Sequence, residues 1–202
     1  EFEINLCGHA TLATAYVLMN YVDPSANKAA FETQSGTLYV NRENNMFTMN
    51  FPSWEPKPVD APALLEKALG CKDLETYLSR DLLVLVENES VVKNLTPDME
   101  MIKEVCSGLA LGIIVTASGD NCDFVSRFFA PNAGVPEDPV TGSSHSMLIP
   151  FWGKRLRKSK MLARQLSKRG GTLYCEYQGD RVNIGGTAIC YLQGEIKLGN
   201  VT

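Results

Sequence analysis

The sequence carries one short pattern twice, each time where an apolar helix is predicted to begin. "CGHATLATAYVL" spans residues 7–18, and "TGSSHSMLIPFW" spans residues 141–152. In both copies a polar or thiol residue precedes a glycine, and an uncharged, mostly apolar run follows. An acid stands shortly before each copy, Glu3 in the first and Asp138 in the second. The repeat predicts two similar lobes, each organised around its own helix.

The two glycines suggest a chemical use for these helix starts. The first N–H groups of a helix have no partner inside the helix, and they favour an anion. Glycine leaves room for close approach. If the starts at Gly8 and Gly142 face each other, they make one anion-binding cleft between the lobes. The alternative is two ordinary helix starts, with Asp138 as a cap.

Several other elements are predicted from local patterns. Residues 10–22 contain no charge and predict a helix that is buried on all sides. Residues 35–52 predict two strands with a turn at 43–45, and residues 61–70 predict a helix that Gly70 ends. Thr96 is predicted as the N-cap of the following helix, with Pro97 in its first position.

The second half of the chain continues in the same way. The apolar runs "DLLVLVEN", "GIIVTAS" and "DFVSRFFAP" predict buried strands, and residues 170–198 predict a further set of strands separated by glycines. Pro150 is expected to kink or end the second repeat helix. The basic stretch 154–169 contains no acid, and its leucines and methionine predict an amphipathic helix with solvated charges.

Composition excludes several functions. The 202 residues suffice for one large domain or two small lobes, and 45% hydrophobic with 21% charged residues is typical of a globular protein. The net charge is −4, and no aromatic residues interleave the basic stretch, so we expect no nucleic-acid partner. No apolar run reaches the roughly 18 residues of a membrane span, so we expect no membrane partner.

The same composition argues against a cofactor. Six scattered cysteines and two histidines predict no metal site, and free thiols suit a cytoplasmic protein. No P-loop appears, and no glycine-rich dinucleotide motif follows a strand, so we expect neither nucleotide nor flavin.

Two long motifs then resemble a known family. "EINLCGHATLATA" and "SRFFAPNAGVPEDPVTGSSH" are similar to the phenazine-biosynthesis-protein-F-like (PhzF-like) family. The resemblance implies the diaminopimelate epimerase-like α+β fold, with two pseudo-symmetric lobes, each a curled, mostly antiparallel sheet around a central helix. The lobes would be residues 1–78 and 79–202, with the last strand able to return to the first lobe. Family members begin with a further segment, so we expect the first lobe to lack its first strands.

The resemblance also implies a reaction and a site. It implies a cofactor-independent isomerase, expected as a homodimer, that moves a proton within a small, cyclic or acyclic carboxylic acid. Glu3 matches the acid/base glutamate of the family. Gly8, His9, Gly142 and Ser143 would supply backbone N–H groups to the substrate carboxylate.

Two further roles follow from the match to the second motif. Asp138 would orient or share the proton, and Ser143 would hydrogen-bond the substrate. The His9 side chain is either a catalytic acid or a cap or packing group, and Arg127 either pairs with a substrate acid or faces solvent. The phenazine enzymes act on a dihydro-hydroxyanthranilate, a substrate that does not follow for this chain.

Two other functions remain open. In the epimerase and racemase relatives a cysteine stands at each helix start, whereas this chain has Cys7 at the first and Thr141 at the second. A threonine hydroxyl is too weak an acid to partner a thiol, so an amino-acid epimerase or racemase is the less favoured enzyme, and Cys7 is predicted as a buried filler. The remaining alternative is an inactive family member that serves as a binding or scaffold protein.

Overall fold

The computed structural model describes residues 6–195 and combines one large sheet with few helices. The strands are β1 (Lys28–Thr33), β2 (Gly36–Glu43), β3 (Met46–Pro52), β4 (Lys57–Pro58), β5 (Glu75–Leu78), β6 (Leu82–Leu85), β7 (Ile113–Ser118), β8 (Phe124–Ala130), β9 (Val135–Asp138), β10 (Lys160–Gln165), β11 (Gly171–Gln178) and β12 (Arg181–Gly186). The α-helices are α1 (Gly8–Val17), α2 (Leu65–Leu69), α3 (Glu89–Asn94), α4 (Met99–Cys106) and α5 (Gly142–Leu156).

All of these strands belong to one hydrogen-bonded sheet. Its order is β1-β2-β3-β12-β11-β10-β8-β7-β6-β5-β4, and β9 pairs with β8 off this path. The β6–β7 and β8–β10 pairs are parallel, and the other pairs are antiparallel. The strand β12 lies between β11 and β3, so it joins the strands of the first half of the chain to those of the second. The predicted α+β class, with a mostly antiparallel sheet, is confirmed.

The strands β6, β7 and β8 are buried on both faces, which explains their continuous apolar runs. Alternate residues point to opposite sides of a strand. Leu83 and Ile114 pack in the core that contains α5, whereas Leu82 and Ile113 pack in the core that contains α2 and α4. The predicted buried strands are therefore confirmed, and they separate α5 from α2 and α4.

Helix α5 is central and passes through Pro150 without ending. Its residues are buried almost continuously from Gly142 to Gly153, and it packs on β3, β10, β11 and β12. Proline has no N–H to donate to the carbonyl four residues earlier, which belongs to Ser146. The backbone N–H of Trp54 donates to that carbonyl at 2.8 Å instead. A loop from the first half of the chain thus provides the hydrogen bond to the Ser146 carbonyl that Pro150 cannot provide.

Helix α1 differs from its prediction. Only Gly8 and Ala15 are buried in α1, with Met19 in the π-helical turn Leu18–Val22 that follows. These residues lie at spacings of seven and four, which is a single stripe along a helix. The expectation of burial on all sides is wrong for the residues that the structure describes. An uncharged sequence shows that a helix tolerates burial, but it does not show which faces are covered.

The basic stretch 154–169 is also not one helix. Helix α5 ends at Leu156, Arg157 adopts a left-handed conformation with φ 55°, and β10 follows. In β10, Met161 and Ala163 are buried while Arg164 is exposed, so the burial alternates as in a strand. Pairing with β11 and β8 on its two sides overrides the helical spacing of the apolar residues.

Local turn and cap predictions are mostly confirmed. Asn44 has φ 54° in the β2–β3 turn, and Gly70 has φ 70° after α2. The cap of α4 is Asp98 rather than Thr96, because the Asp98 carboxylate accepts the N–H groups of Glu100 and Met101 at 3.0 and 3.1 Å. Thr96 and Asp98 could each cap this helix, and the Asp98 carboxylate is the group that reaches both donors.

Candidate active site

The starts of α1 and α5 meet at their glycines. The residues before them, Cys7 and Thr141, have similar extended conformations, with φ, ψ of −124°, 94° and −111°, 104°. A Cβ atom on Gly8 would lie 3.0 Å from the Cα of Gly142, and one on Gly142 would lie 3.0 Å from the Cα of Gly8. The Phe51 ring packs against both positions. Glycine at both helix starts therefore allows this close approach, because a side chain at either position would press on the facing backbone.

The two repeats also share a hydrogen bond at the fifth residue. The Thr11 hydroxyl donates to the carbonyl of Cys7 at 2.8 Å. In the second copy, Nδ1 of His145 lies 2.8 Å from the carbonyl of Thr141. In each copy this side chain engages the carbonyl just before the helix. The structure thus gives the sequence repeat a matching local geometry.

A cavity of about 440 Å³ opens beside the paired helix starts. Its lining is mostly apolar, and it includes the two helix starts and a few polar side chains. The lining residues are Leu6, Cys7, Gly8, His9, Arg80, Leu111, Phe128, Ala130, Ala133, Val135, Asp138, Thr141, Gly142 and Ser143. An apolar cavity with a few convergent polar groups is the usual form of a small-molecule site.

A buried glutamine holds the loop that carries Asp138. The Asp138 carboxylate accepts the Thr141 hydroxyl at 2.7 Å. Gln165, at the end of β10 and only 1% exposed, donates to the backbone carbonyl of Asp138 at 2.7 Å and accepts the backbone N–H of Thr141 at 2.8 Å. Its amide also donates to the Thr141 hydroxyl at 3.1 Å. The amide oxygen and the amide nitrogen of Gln165 therefore both hold the segment from Asp138 to Thr141, which leads into α5.

Ser143 is joined to an arginine from another element. The Nη2 atom of Arg80 donates to the Ser143 hydroxyl oxygen at 3.0 Å. Arg80 also pairs with Asp81, whose side chain is fully buried, and its guanidinium lies 5.0 Å from the centre of the Trp54 ring. Burial raises the pKa of Asp81, and the neighbouring Arg80 guanidinium opposes that shift.

Cys7 and His9 stand together at the start of α1. The His9 Nε2 atom lies 3.6 Å from the Cys7 sulfur, and both residues line the cavity. Cys7 is half-buried and His9 is exposed, so the expectation that Cys7 is a buried filler is wrong. The Cys7 side chain lies at the cavity because the extended residue before a helix stands outside the helix core.

The structure brings most of the predicted site together. Gly8, His9, Asp138, Gly142 and Ser143 all line the one cavity. Glu3 lies outside the described residues.

Two basic side chains lie apart from the cavity lining. Arg127 pairs with Glu137 at 2.7 Å and donates to the carbonyl of Leu95, so it is engaged by the protein rather than directed to solvent. His145 is fully buried within α5, and burial lowers its pKa to about 4.

Arg80 and Gln165 are the site residues that the sequence reasoning missed. Arg80 and Asp81 directly precede the buried strand β6, and a charged pair at that position is a usable signal. Gln165 lies in the stretch that was predicted as a helix, so its face could not be assigned. Neither residue belongs to the repeated motif, and only the sheet brings them to α5.

Within residues 6–195, no helix is long and apolar enough to cross a membrane. No group of three or more His, Cys, Asp or Glu side chains in that range is arranged to hold a metal ion.

The chain is similar to two solved structures over almost its whole length. A phenazine biosynthesis protein of the PhzF family from Enterococcus faecalis superposes with a TM-score of 0.91 at 47% identity, covering 97% of this chain and 75% of that one. A probable proline racemase from Agrobacterium radiobacter K84 superposes with a TM-score of 0.61 at 11% identity, covering 96% and 68%. The racemase shows a shared fold alone, and the predicted diaminopimelate epimerase-like fold is confirmed.

Sequence relatives agree with this placement. An uncharacterized isomerase of Pseudomonas aeruginosa is 44% identical over 199 residues, which are 98% of this chain and 75% of the relative. A phenazine biosynthesis-like domain-containing protein of Homo sapiens is 36% identical over 212 residues, which cover 96% and 74%. The family model described as phenazine biosynthesis-like protein matches residues 1–194. The chain therefore belongs to the phenazine biosynthesis-like, or PhzF-like, protein family.

Proposed function

We propose that this protein is a cofactor-independent isomerase that moves a proton within a small carboxylic acid held between the starts of α1 and α5. Relatives that share 44% and 39% of its sequence are named isomerases. The observation that carries the proposal is the contact of Gly8 and Gly142 beside one cavity. The chain is an isomerase of the PhzF-like family, and the substrate class and proton carriers are the parts proposed.

The carboxylate would be bound by the helix starts. Two sets of free N–H groups, each at the positive end of a helix, would converge on one oxyanion. Glycine at both starts lets the two backbones approach without an intervening side chain. Such fixed donors lie in place before the reaction, so they stabilise the charge that develops when a neighbouring carbon loses its proton.

The rest of the cavity supports an apolar or cyclic substrate body. Leu6, Leu111, Phe128, Ala130 and Val135 supply apolar side chains to the lining. At about 440 Å³ the cavity falls in the usual range of small-ligand sites. A ring-sized acid would place its carboxylate at the glycines and its apolar part against these side chains.

The proton would be carried by a carboxylate rather than by two thiols. Glu3 is proposed as the base that removes the proton and returns it, and Asp138 as the carboxylate that orients or shares it. Thr141, which stands where a second cysteine would be needed, donates its hydroxyl to Asp138 at 2.7 Å. Its hydroxyl therefore serves the Asp138 loop and not a two-base epimerisation.

The direct test is proton exchange with heavy water. The full-length protein would be incubated with a panel of cyclic and amino carboxylic acids in deuterium oxide, and each acid would be followed by NMR and mass spectrometry. We expect deuterium at a carbon near the carboxylate of at least one acid, with the double bond moved. Inversion of a stereocentre would instead indicate an epimerase. No exchange into any acid would support the scaffold alternative and contradict this proposal.

A further inference from the structure

Arg80 is the charged group of the cavity for which the family resemblance gives no role. It follows β5 and precedes β6, and its side chain reaches the start of α5, 63 residues further along the chain. It lines the cavity together with Asp138 and Ser143, and its side chain is 24% exposed. The Arg80 side chain is therefore partly accessible from the cavity, and the rest of it is covered by protein.

The Arg80 guanidinium is held in place by two groups. Its Nε and Nη2 atoms donate to the buried Asp81 carboxylate, and its guanidinium lies over the Trp54 ring. The Trp54 backbone N–H in turn donates a hydrogen bond to the Ser146 carbonyl of α5. No residue that the structure describes accepts a hydrogen bond from the Nη1 atom. An arginine fixed by one carboxylate and one ring keeps its remaining donors for another planar oxyanion.

The contact with Ser143 fixes the direction of the serine hydroxyl. Arg80 donates to the Ser143 oxygen at 3.0 Å, so this oxygen is an acceptor. A hydroxyl that accepts on one side directs its own hydrogen elsewhere. Ser143 lines the cavity and is the second residue of α5, beside the free N–H groups of the first turn. The Ser143 hydroxyl is thus arranged as a donor for a ligand at the helix start.

We propose that Arg80 is a substrate-binding residue that selects a carboxylate over a neutral group of the same shape. Its Nη1 donors and the Ser143 hydroxyl would bind the carboxylate that the first N–H groups of α5 face. Asp81 would act as a positioning residue, because it holds the guanidinium without occupying Nη1. This inference rests on the proposed function, since it concerns the same cavity and the same substrate carboxylate.

The test compares a charged probe with a neutral probe of the same shape. Benzoate and benzamide would be titrated into the full-length wild-type protein and into Arg80→Gln by calorimetry. Loss of a fixed arginine–carboxylate contact should weaken benzoate binding by about tenfold or more, while benzamide binding changes by less than about threefold. Arg80→Lys keeps the charge but lacks the planar fork, so it should lie between the two.

Arg155→Gln is the matched control. Arg155 also pairs with a carboxylate, that of Glu75, and also lies over a ring, that of Phe151, but it does not line the cavity. Its replacement should leave binding of both probes unchanged. Combining Arg80→Gln with Ser143→Ala should cost less benzoate affinity than the sum of the two single changes, because the two groups act as a unit.

Three results would overturn the proposal. They are equal binding of benzoate and benzamide by the wild type, wild-type benzoate binding by Arg80→Gln, and equal weakening of both probes in Arg80→Gln. Failure of the proposed reaction gives a different result. In that case no acid exchanges deuterium, while the preference for benzoate remains in the wild type and disappears in Arg80→Gln.

Discussion

At the scale of single residues, the proposed site divides into groups that bind and groups that carry the proton. The binding groups, Gly8, Gly142 and Ser143, lie at one cavity in the structure. Of the proton-carrying groups, Asp138 lies there, and Glu3 is assigned by its place four residues before Cys7. The two carboxylates can be told apart because each can be replaced by its own amide.

Glu3→Gln should abolish turnover and deuterium exchange while ligand binding stays close to that of the wild type. Glutamine keeps the size and one acceptor of glutamate but cannot take up a proton, and general acid–base catalysis contributes about 10²–10⁴-fold. Exchange rates and benzoate dissociation constants would be measured together. Asp138→Asn is the companion variant, and it should cost less if Asp138 only orients the substrate. A Glu3→Gln protein that exchanges at the wild-type rate would transfer the role of base to another group.

Gln165→Leu should destabilise the protein through the loop before α5. Leucine has a similar volume but leaves the carbonyl of Asp138 and the N–H of Thr141 without their partner. Each buried polar group left unpaired costs about 1–3 kcal/mol, so the unfolding free energy in urea should fall by at least that amount. Gln178→Leu is the control, because Gln178 is exposed on β11. Equal stability of the two variants would show that the Gln165 bonds do not hold the loop.

At the scale of elements, the contact of the two helix starts is the feature that builds the site. Gly142→Ala should push α1 and α5 apart, because its Cβ atom would lie 3.0 Å from the Cα of Gly8. We expect benzoate binding to weaken by at least about tenfold, which corresponds to about 1.4 kcal/mol. Gly186→Ala is the control, since a Cβ atom there has Leu12 at 4.0 Å as its nearest neighbour. A Gly142→Ala protein with wild-type affinity would contradict the shared site.

The elements that the sequence predicts best are those with a local cause. The end of α2 and the turn from β2 to β3 each need a residue with a left-handed backbone conformation. Gly70 and Asn44 are residue types that adopt this conformation readily. Helix α1 and strand β10 were mispredicted because their burial depends on partners distant in sequence. The apolar residues of 154–169 fit a helical face, and only pairing with β8 and β11 selects a strand.

The same distinction applies to the site. The motif residues were predicted because they recur in both copies and resemble a family pattern. Arg80 and Gln165 could not be predicted, because they reach α5 only through the order of the strands β6, β8 and β10 in the sheet. Sequence patterns therefore identify the motif residues at the two helix starts. The fold is needed to identify Arg80 and Gln165, which contact those residues.

At the scale of the whole molecule, a buried histidine links stability to pH. The ordinary pKa of 6.5 is lowered to about 4 in the folded protein because His145 is buried in α5. The unfolded chain therefore binds a proton that the folded chain does not, and stability falls as the pH drops below about 6.5. At pH 5 this contribution is about 2 kcal/mol, from the difference between the two pKa values.

His145→Gln should remove this part of the pH dependence. Urea unfolding would be measured at pH 7.5 and pH 5 for the wild type, for His145→Gln and for His9→Gln. His9 is exposed, so its variant should lose as much stability between these pH values as the wild type does. An equal loss in His145→Gln and the wild type would show that the buried histidine does not set the response.

The expectations of a homodimer and of a cytoplasmic location stay predictions, and sedimentation equilibrium measures the first.

The central claim is that one carboxylate binds between two helix starts from opposite parts of the chain. The most direct measurement is a titration of ¹⁵N-labelled full-length protein with benzoate, in which the backbone N–H signals of Gly8 and Gly142 are followed by NMR. The account predicts that both signals shift together and fit a single dissociation constant. Movement of only one signal, or two different dissociation constants, would contradict a shared site.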